Sequence, residues 1–232
     1  MALSTNNAGA TTTRRSARIA GALYVIVIAG GLFAGIVQDS LTVRGDAAAT
    51  GAALAAHESL WRWGIGVHLI YLAIPTTVMN VLLYRIFKPA EPTLALFALV
   101  FAIVSQAIEA AALLPLVTAA SGTEAYPHAL LDAALCLSEA GSAFALFFFS
   151  GFCVGIGAAI VRSRLVPRPI GLLMVAAGVC YFISSLSSVV APALAHLLSP
   201  WIIIPCFVGE VSLAAWLLVK GTSDLRPLTR DL

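Results

Sequence analysis

Three glutamates and one histidine interrupt segments of this chain that are otherwise apolar enough to cross a lipid bilayer. They are His68, Glu109, Glu139 and Glu210. An ionisable side chain in hydrocarbon is costly unless it is paired, hydrated or neutral, so its presence there points to function. Carboxyl and imidazole groups donate and accept protons, which is the chemistry of general acids and bases. These four residues are therefore the candidate catalytic residues.

The composition indicates that lipid surrounds most of the chain. Of 232 residues, 60% are hydrophobic and 10% are charged, too apolar for a water-soluble domain of ordinary composition. Six segments are long enough to span about 30 Å of hydrocarbon at about 1.5 Å per residue. These predicted spans are 19–37, 60–86, 93–119, 129–161, 170–190 and 200–220. The fourth is over-long and is expected to tilt or to project from the membrane.

Basic residues predict the orientation, because Lys and Arg are retained on the cytoplasmic side. With both termini inside, the cytoplasmic set is Arg14, Arg15, Arg18, Arg85, Lys88, Arg162, Arg164, Arg168, Lys220, Arg226 and Arg230. Only Arg44 and Arg62 then lie outside. We predict an all-α bundle of six transmembrane helices at residues 19–220, between a flexible cytoplasmic N-terminus at 1–18 and a cytoplasmic tail at 221–232.

The longest connection lies between the first two spans. Asp46 is placed to cap a short alanine-rich helix, and Glu58 with Arg62 forms an i,i+4 pair. This surface helix either covers the outer end of the bundle or is a simple solvated linker.

The four ionisable residues are expected to share one layer. Counted from the outer ends of their predicted spans, all four lie about 12 to 15 Å below the outer surface. A charged group turned towards lipid is heavily penalised, which favours side chains that face the bundle interior. The sequence therefore predicts one enclosed polar pocket in the outer half of the bundle.

Prolines lie close to three of these residues. Pro75, Pro115 and Pro205 follow or precede His68, Glu109 and Glu210 within seven residues. Each proline removes a backbone donor and can bend a helix, which would open a cavity. The alternative is that neighbouring groups satisfy the freed carbonyls and no cavity forms.

Aromatic and amide side chains near this layer are the candidate substrate contacts. They are Tyr71, Gln106, Phe148, Phe149 and Trp201. An aromatic wall below a carboxyl group suits an apolar substrate, although a phenylalanine run in a membrane helix also serves as packing or lipid contact.

Acid–base chemistry on a lipophilic, isoprenoid-like or lipid-like molecule is the first functional hypothesis. Two carboxyl groups in a dry site cannot both stay charged cheaply, so one of them should hold a proton. Glu139 or Glu210 would protonate an alkene or epoxide, as in cyclisation or isomerisation, and His68 or a second carboxylate would later accept a proton.

Three other functions use the same residues: a transporter, a membrane binding partner and, least favoured, a metal site. A proton-coupled transporter of a small hydrophobic solute needs the same residues, and an enzyme is preferred only because the acids are predicted in one layer instead of along a path. A non-catalytic membrane partner would use them to join helices. A metal site lacks the H-E-x-x-H and Glu-x-x-His patterns, so we expect no metal and no cofactor. The partners expected are membrane lipids and a lipophilic molecule, not nucleic acid.

Several stretches resemble a family of small bacterial integral-membrane proteins. They are RSARIAGALY at 15–24, the loop at 45–64, RSRLVPRPIGLLMVAAGVCY at 162–181 and GEVSLAAWLLVKG at 209–221. In this order they resemble the proteins grouped as domain of unknown function DUF 4386. The resemblance implies a six-helix fold in the bacterial cytoplasmic membrane, with Glu210 in the Gly-Glu element of the last helix. It implies no reaction or ligand.

Overall fold

The fold is all-helical in a computed structural model that describes residues 2–43, 45–120 and 128–222. The elements are α1 Ala2–Leu41, α2 Ala47–Ala56, α3 Glu58–Tyr71, a π-helical turn Leu72–Thr76, α4 Thr77–Phe87, α5 Pro92–Ala112, α6 Leu114–Ala120, α7 His128–Ser163, α8 Arg168–Val190, α9 Pro192–Leu198 and α10 Ile203–Val219. Arg44, Arg226, Arg230 and most of the predicted tail lie outside the described residues.

Five helical segments are long and apolar enough to cross a membrane. They are Arg14–Leu41, Glu58–Phe87, Pro92–Ala119, Leu130–Ser163 and Arg168–Val190. The pair α9 and α10 forms a sixth span if it is counted as one, although its two parts are bent by 58°. The predicted all-α membrane bundle is confirmed, with the last span broken.

The helices run alternately up and down between two ends that differ in charge. The basic end carries Arg14, Arg85, Lys88, Arg162 and Lys220, and the opposite end carries α2. In the middle of the bundle α7 packs along α5 and α8, and α1 packs against α3, α4 and α10. One apolar cluster near the basic end includes Tyr24 and Phe152, and a second near the opposite end includes Leu54 and Trp61.

The surface helix α2 is attached to the bundle. The Asp46 carboxylate accepts a hydrogen bond from Ala49 N at 2.8 Å, and Glu58 pairs with Arg62 at 2.7 Å, so both predictions for this loop are confirmed. Leu54 is buried against the second apolar cluster. This packing favours the covering role for α2 over the solvated linker.

Close approach between α1 and α10 depends on Gly21. A Cβ atom there would overlap the backbone nitrogen of Leu218 and lie 2.8 Å from the carbonyl carbon of Leu217. Gly35, on the same helix, has nothing within 4 Å of that position. Small residues at such crossings let membrane helices pack backbone to backbone.

Gly21→Ala is therefore expected to destabilise the protein by about 2 kcal/mol, because the two backbones must separate. Gly35→Ala is the matched control, since it adds the same methyl group to the same helix in open space and improves helix propensity. Thermal unfolding of the detergent-purified protein measures both. Equal stability of the two variants would contradict the close contact.

Candidate functional site

His68 and Glu109 form a pair between α3 and α5. The His68 Nε2 atom lies 3.1 Å from Glu109 Oε1, and both side chains are largely buried, at 13% and 18% exposed. Although these two atoms are close, Nε2 has no hydrogen-bond partner among the described residues. From α7, Ser142 Oγ donates to the same carboxylate oxygen at 3.1 Å. The structure thus brings together two of the four predicted residues.

Tyr71 holds the imidazole of His68 from one side. The two rings are stacked, with centroids 5.0 Å apart and planes inclined by 13°. On its α1 side the tyrosine ring fits against Gly30, where an added Cβ would lie 2.7 Å from ring carbon Cδ1. Tyr71 therefore belongs to this site, and it links the pair to α1.

The helix that carries His68 is irregular directly after Tyr71. Pro75 lacks the N–H that would normally bond to the Tyr71 carbonyl, and the Thr76 hydroxyl donates to that carbonyl instead, at 2.8 Å. Gln106 Nε2 donates to Leu72 O at 2.6 Å. Pro75 thus lies in a π-helical turn, a feature often found at functional sites, and a neighbouring hydroxyl satisfies the carbonyl that it frees, as the alternative for the prolines expected. The Gln106 amide, predicted to contact substrate, is already bonded within the protein.

Gln106→Leu is expected to cost about 1 to 3 kcal/mol of stability, because it leaves the Leu72 carbonyl unsatisfied in an apolar setting. Thr77→Val is the comparison, since it removes the second acceptor of the same amide and the hydroxyl's own bond to the Ala73 carbonyl but keeps the bond to Leu72 O. Chemical or thermal unfolding in detergent measures the difference. A Gln106→Leu protein as stable as the parent would show that the carbonyl finds another donor.

The other two prolines behave differently from each other. Pro115 lies at the second position of α6, directly after the break at Leu113 that ends α5. Pro205 lies in the first turn of α10, where no intrahelical N–H bond is lost, and the 58° bend falls before it, between α9 and α10. The predicted kink at Pro205 is therefore wrong, because the chain leaves the helical path before reaching the proline.

Glu210 lies in a second site, between α10, α8 and α1. Tyr181 Oη donates to Glu210 Oε1 at 2.5 Å, and Tyr24 Oη donates to Oε2 at 3.3 Å. The ring of Phe149 meets the edge of Tyr181 at a centroid distance of 5.4 Å. Phe149 is therefore the predicted aromatic contact that lies beside the Glu210 site, through Tyr181.

The two tyrosines were missed by the sequence reasoning. Both stand in the stretches that carry the family resemblance, Tyr24 at the end of RSARIAGALY and Tyr181 at the end of the 162–181 stretch. A tyrosine in an apolar span needs a partner for its hydroxyl, and that requirement was the available signal.

Three predicted site residues lie away from both the His68–Glu109 pair and the Glu210 site. Glu139 is exposed on α7, and its side chain makes no hydrogen bond or ion pair with the described residues. Trp201 is 70% exposed in the turn between α9 and α10, and Phe148 packs on Phe101 with centroids 6.0 Å apart. The prediction of one pocket shared by His68, Glu109, Glu139 and Glu210 is wrong.

The ionisable residues occupy two main levels instead of one. At about 1.5 Å per helical residue, Glu210 lies about 15 Å from the basic end and Glu109 about 25 Å, while Glu139 lies only about 5 Å beyond Glu109, because it precedes Ser142, which bonds to Glu109, by three residues. On α1, Tyr24 contacts Glu210 and Gly31 adjoins Tyr71, and these positions are also about 10 Å apart. The sequence prediction counted depth from the outer ends of the spans. Those depths were misleading because α7 is over-long and the last span is broken.

The described residues also form two apolar grooves large enough for a lipophilic molecule. One of about 580 Å³ lies between α7 and the α5–α6 segment, and one of about 330 Å³ lies between α5 and the π-helical turn. Both open at the side of the bundle, where lipid would surround them.

In the described ranges no three His, Cys, Asp or Glu residues come together to hold a metal ion.

The fold and the two polar sites define a multi-pass, all-helical membrane protein with ionisable groups buried between its helices. Residues 19–221 match the model of the family described as domain of unknown function (DUF4386), and the chain belongs to this family. The resemblance seen in the sequence is thus confirmed. Neither the comparison with curated proteins nor the comparison with solved structures finds a match.

Proposed function

We propose that this protein is a proton-coupled transporter of a small lipophilic solute. The observation that carries the proposal is that the buried ionisable residues lie at two levels, the His68–Glu109 pair and Glu210, about 10 Å apart along the helices. We place it in the bacterial cytoplasmic membrane with both termini inside, on the basis of its family and its basic residues.

The same observation lowers the support for the enzyme. An enzyme was preferred while all four groups were expected to surround one substrate in one layer. Glu139 is exposed, and Glu109 and Glu210 bond to different helices, so no single substrate lies between them. Levels about 10 Å apart suit a proton that crosses in steps.

Glu210 is the proposed coupling residue. Near the midplane its carboxyl group is held by two tyrosine hydroxyls, and Phe149 supplies an aromatic face close by. Discontinuous helices are common beside transporter binding sites, and α10 follows the bent connection from α9. A lipophilic solute would enter sideways from lipid, compete with the proton at Glu210 and leave when the proton returns.

The test is solute-driven proton movement in proteoliposomes that contain the pH dye pyranine. Two probes separate the solute classes: tetraphenylphosphonium, a lipophilic cation, and geraniol, a neutral lipophile. We expect one of them to change the internal pH in the presence of the protein beyond its effect on empty vesicles. Identical traces with and without protein for both probes would contradict coupled transport of either class.

Acid–base catalysis at Glu210 is the second candidate, favoured by the combination of a carboxyl group, two tyrosine hydroxyls and a phenylalanine ring. Such a group can protonate an alkene, and aromatic faces stabilise the resulting cation. Chromatography of geraniol recovered from the same vesicles distinguishes the two functions. A cyclised or isomerised product made only by the intact protein would favour the enzyme.

A further inference from the structure

We infer that a single water molecule occupies a cleft beside His68 and that it is the entry point for protons from the opposite end of the bundle. The water site is argued from geometry alone, whereas its role in proton entry rests on the proposed transport function.

Two buried nitrogen atoms that make no hydrogen bond belong to residues of this cleft. Trp61 Nε1 and His68 Nε2 are both buried and have no hydrogen-bond partner among the described residues. Trp61 is only 2% exposed. An unmet buried donor costs about 1 to 3 kcal/mol, so a buried polar atom normally has a partner, and ordered water is a common one.

The size and lining of the cleft select water as that partner. Its walls come from α1, α3 and the region where α5 meets α6, and they include Ala34, Gln38, Trp61, His68 and Leu113. Its free volume is about 10 Å³, the space of one water molecule and too small for a larger ligand. Gln38 is a third polar residue in the lining, and buried waters typically make about three hydrogen bonds.

The cleft lies towards the end of the bundle that carries α2, opposite the basic end. Trp61 packs in the same apolar cluster as Leu54 of α2, so the surface helix covers this side of the bundle. On its inner side the cleft reaches His68, whose Nε2 lies 3.1 Å from Glu109. A proton that arrives as hydronium leaves a neutral water behind when it passes to the pair, so the step needs no other reactant.

Indole N–H exchange with solvent tests the water site in the full-length protein. The protein carries ¹⁵N-labelled tryptophan in nanodiscs of phosphatidylethanolamine and phosphatidylglycerol. Trp216 is the matched control, because its Nε1 is also buried without a partner but it does not line the cleft. We expect the Trp61 N–H to show a water cross-peak and to exchange about tenfold faster than that of Trp216. An equal or slower rate at Trp61 would overturn the inference.

Ala34→Val tests the cleft itself, because the added methyl groups fill its wall. We expect the Trp61 exchange rate to fall to that of Trp216, while the Trp216 rate stays unchanged. An unaltered Trp61 rate would overturn the inference, and if the variant fails to fold, the comparison within the parent protein decides alone. Fast Trp61 exchange in a protein without coupled proton flux would keep the water site and remove its role in transport.

Discussion

Replacing Glu210 with glutamine is expected to abolish solute-driven proton flux, lowering it by about 100-fold or more. Glutamine keeps the size of the side chain and can still bond to the hydroxyls of Tyr24 and Tyr181, but it cannot carry a proton at this position. The loss should therefore appear in flux and not in folding. Pyranine traces from proteoliposomes measure the first, and thermal unfolding in detergent measures the second.

Glu139→Gln is the matched control for this experiment. Glu139 is the same residue type in another span, but it is exposed and bonds to none of the described side chains. We expect it to retain flux within about twofold of the parent, in line with the small effects of surface substitutions. Equal loss in both variants would mean that the assay reports general damage, and equal retention would remove Glu210 from the coupling mechanism.

A double-mutant cycle at His68 and Glu109 is expected to show strong coupling. Their side chains are 3.1 Å apart, so either substitution disrupts the pair. We expect His68→Gln and Glu109→Gln each to reduce flux by about tenfold to 100-fold, and the double variant to be no worse than the poorer single variant. Each variant is assayed with pyranine in the same lipid mixture.

Ser142→Ala is the comparison variant for that cycle, because it removes only the hydroxyl that donates to Glu109. A single interhelical hydrogen bond of this kind is worth about 0.6 kcal/mol, which corresponds to a loss of about threefold. If the losses at His68 and Glu109 simply multiply in the double variant, the two side chains act independently and the proposed proton pair is incorrect.

The spans and part of the site could be predicted from the sequence, for physical reasons that differ between residues. Hydropathy defines helices in lipid because every backbone group must be bonded within its own segment. His68 and Glu109 were placed together correctly because both lie at similar distances from well-marked span ends. Pro75 was also informative, since a missing N–H has a local effect.

The rest depended on long-range geometry that a residue count does not contain. Glu139 was misplaced because α7 has 36 residues, about 54 Å of helix, and a residue count does not say which face of so long a helix is exposed. Glu210 was misplaced because the bend between α9 and α10 shifts the point from which depth is counted. Its partners Tyr24 and Tyr181 come from helices far apart in sequence, and nothing in local patterning pairs them.

The most direct test of coupling at two separate levels is an infrared difference spectrum of the membrane-embedded protein, recorded before and after addition of the solute identified in the flux assay. We predict two carboxyl bands that change on solute addition, one missing in Glu109→Gln and the other missing in Glu210→Gln, with both present in Glu139→Gln. A spectrum in which no carboxyl band responds, or in which the response persists in both Glu109→Gln and Glu210→Gln, would contradict proton coupling through these residues and leave them as hydrogen-bonding groups that join helices.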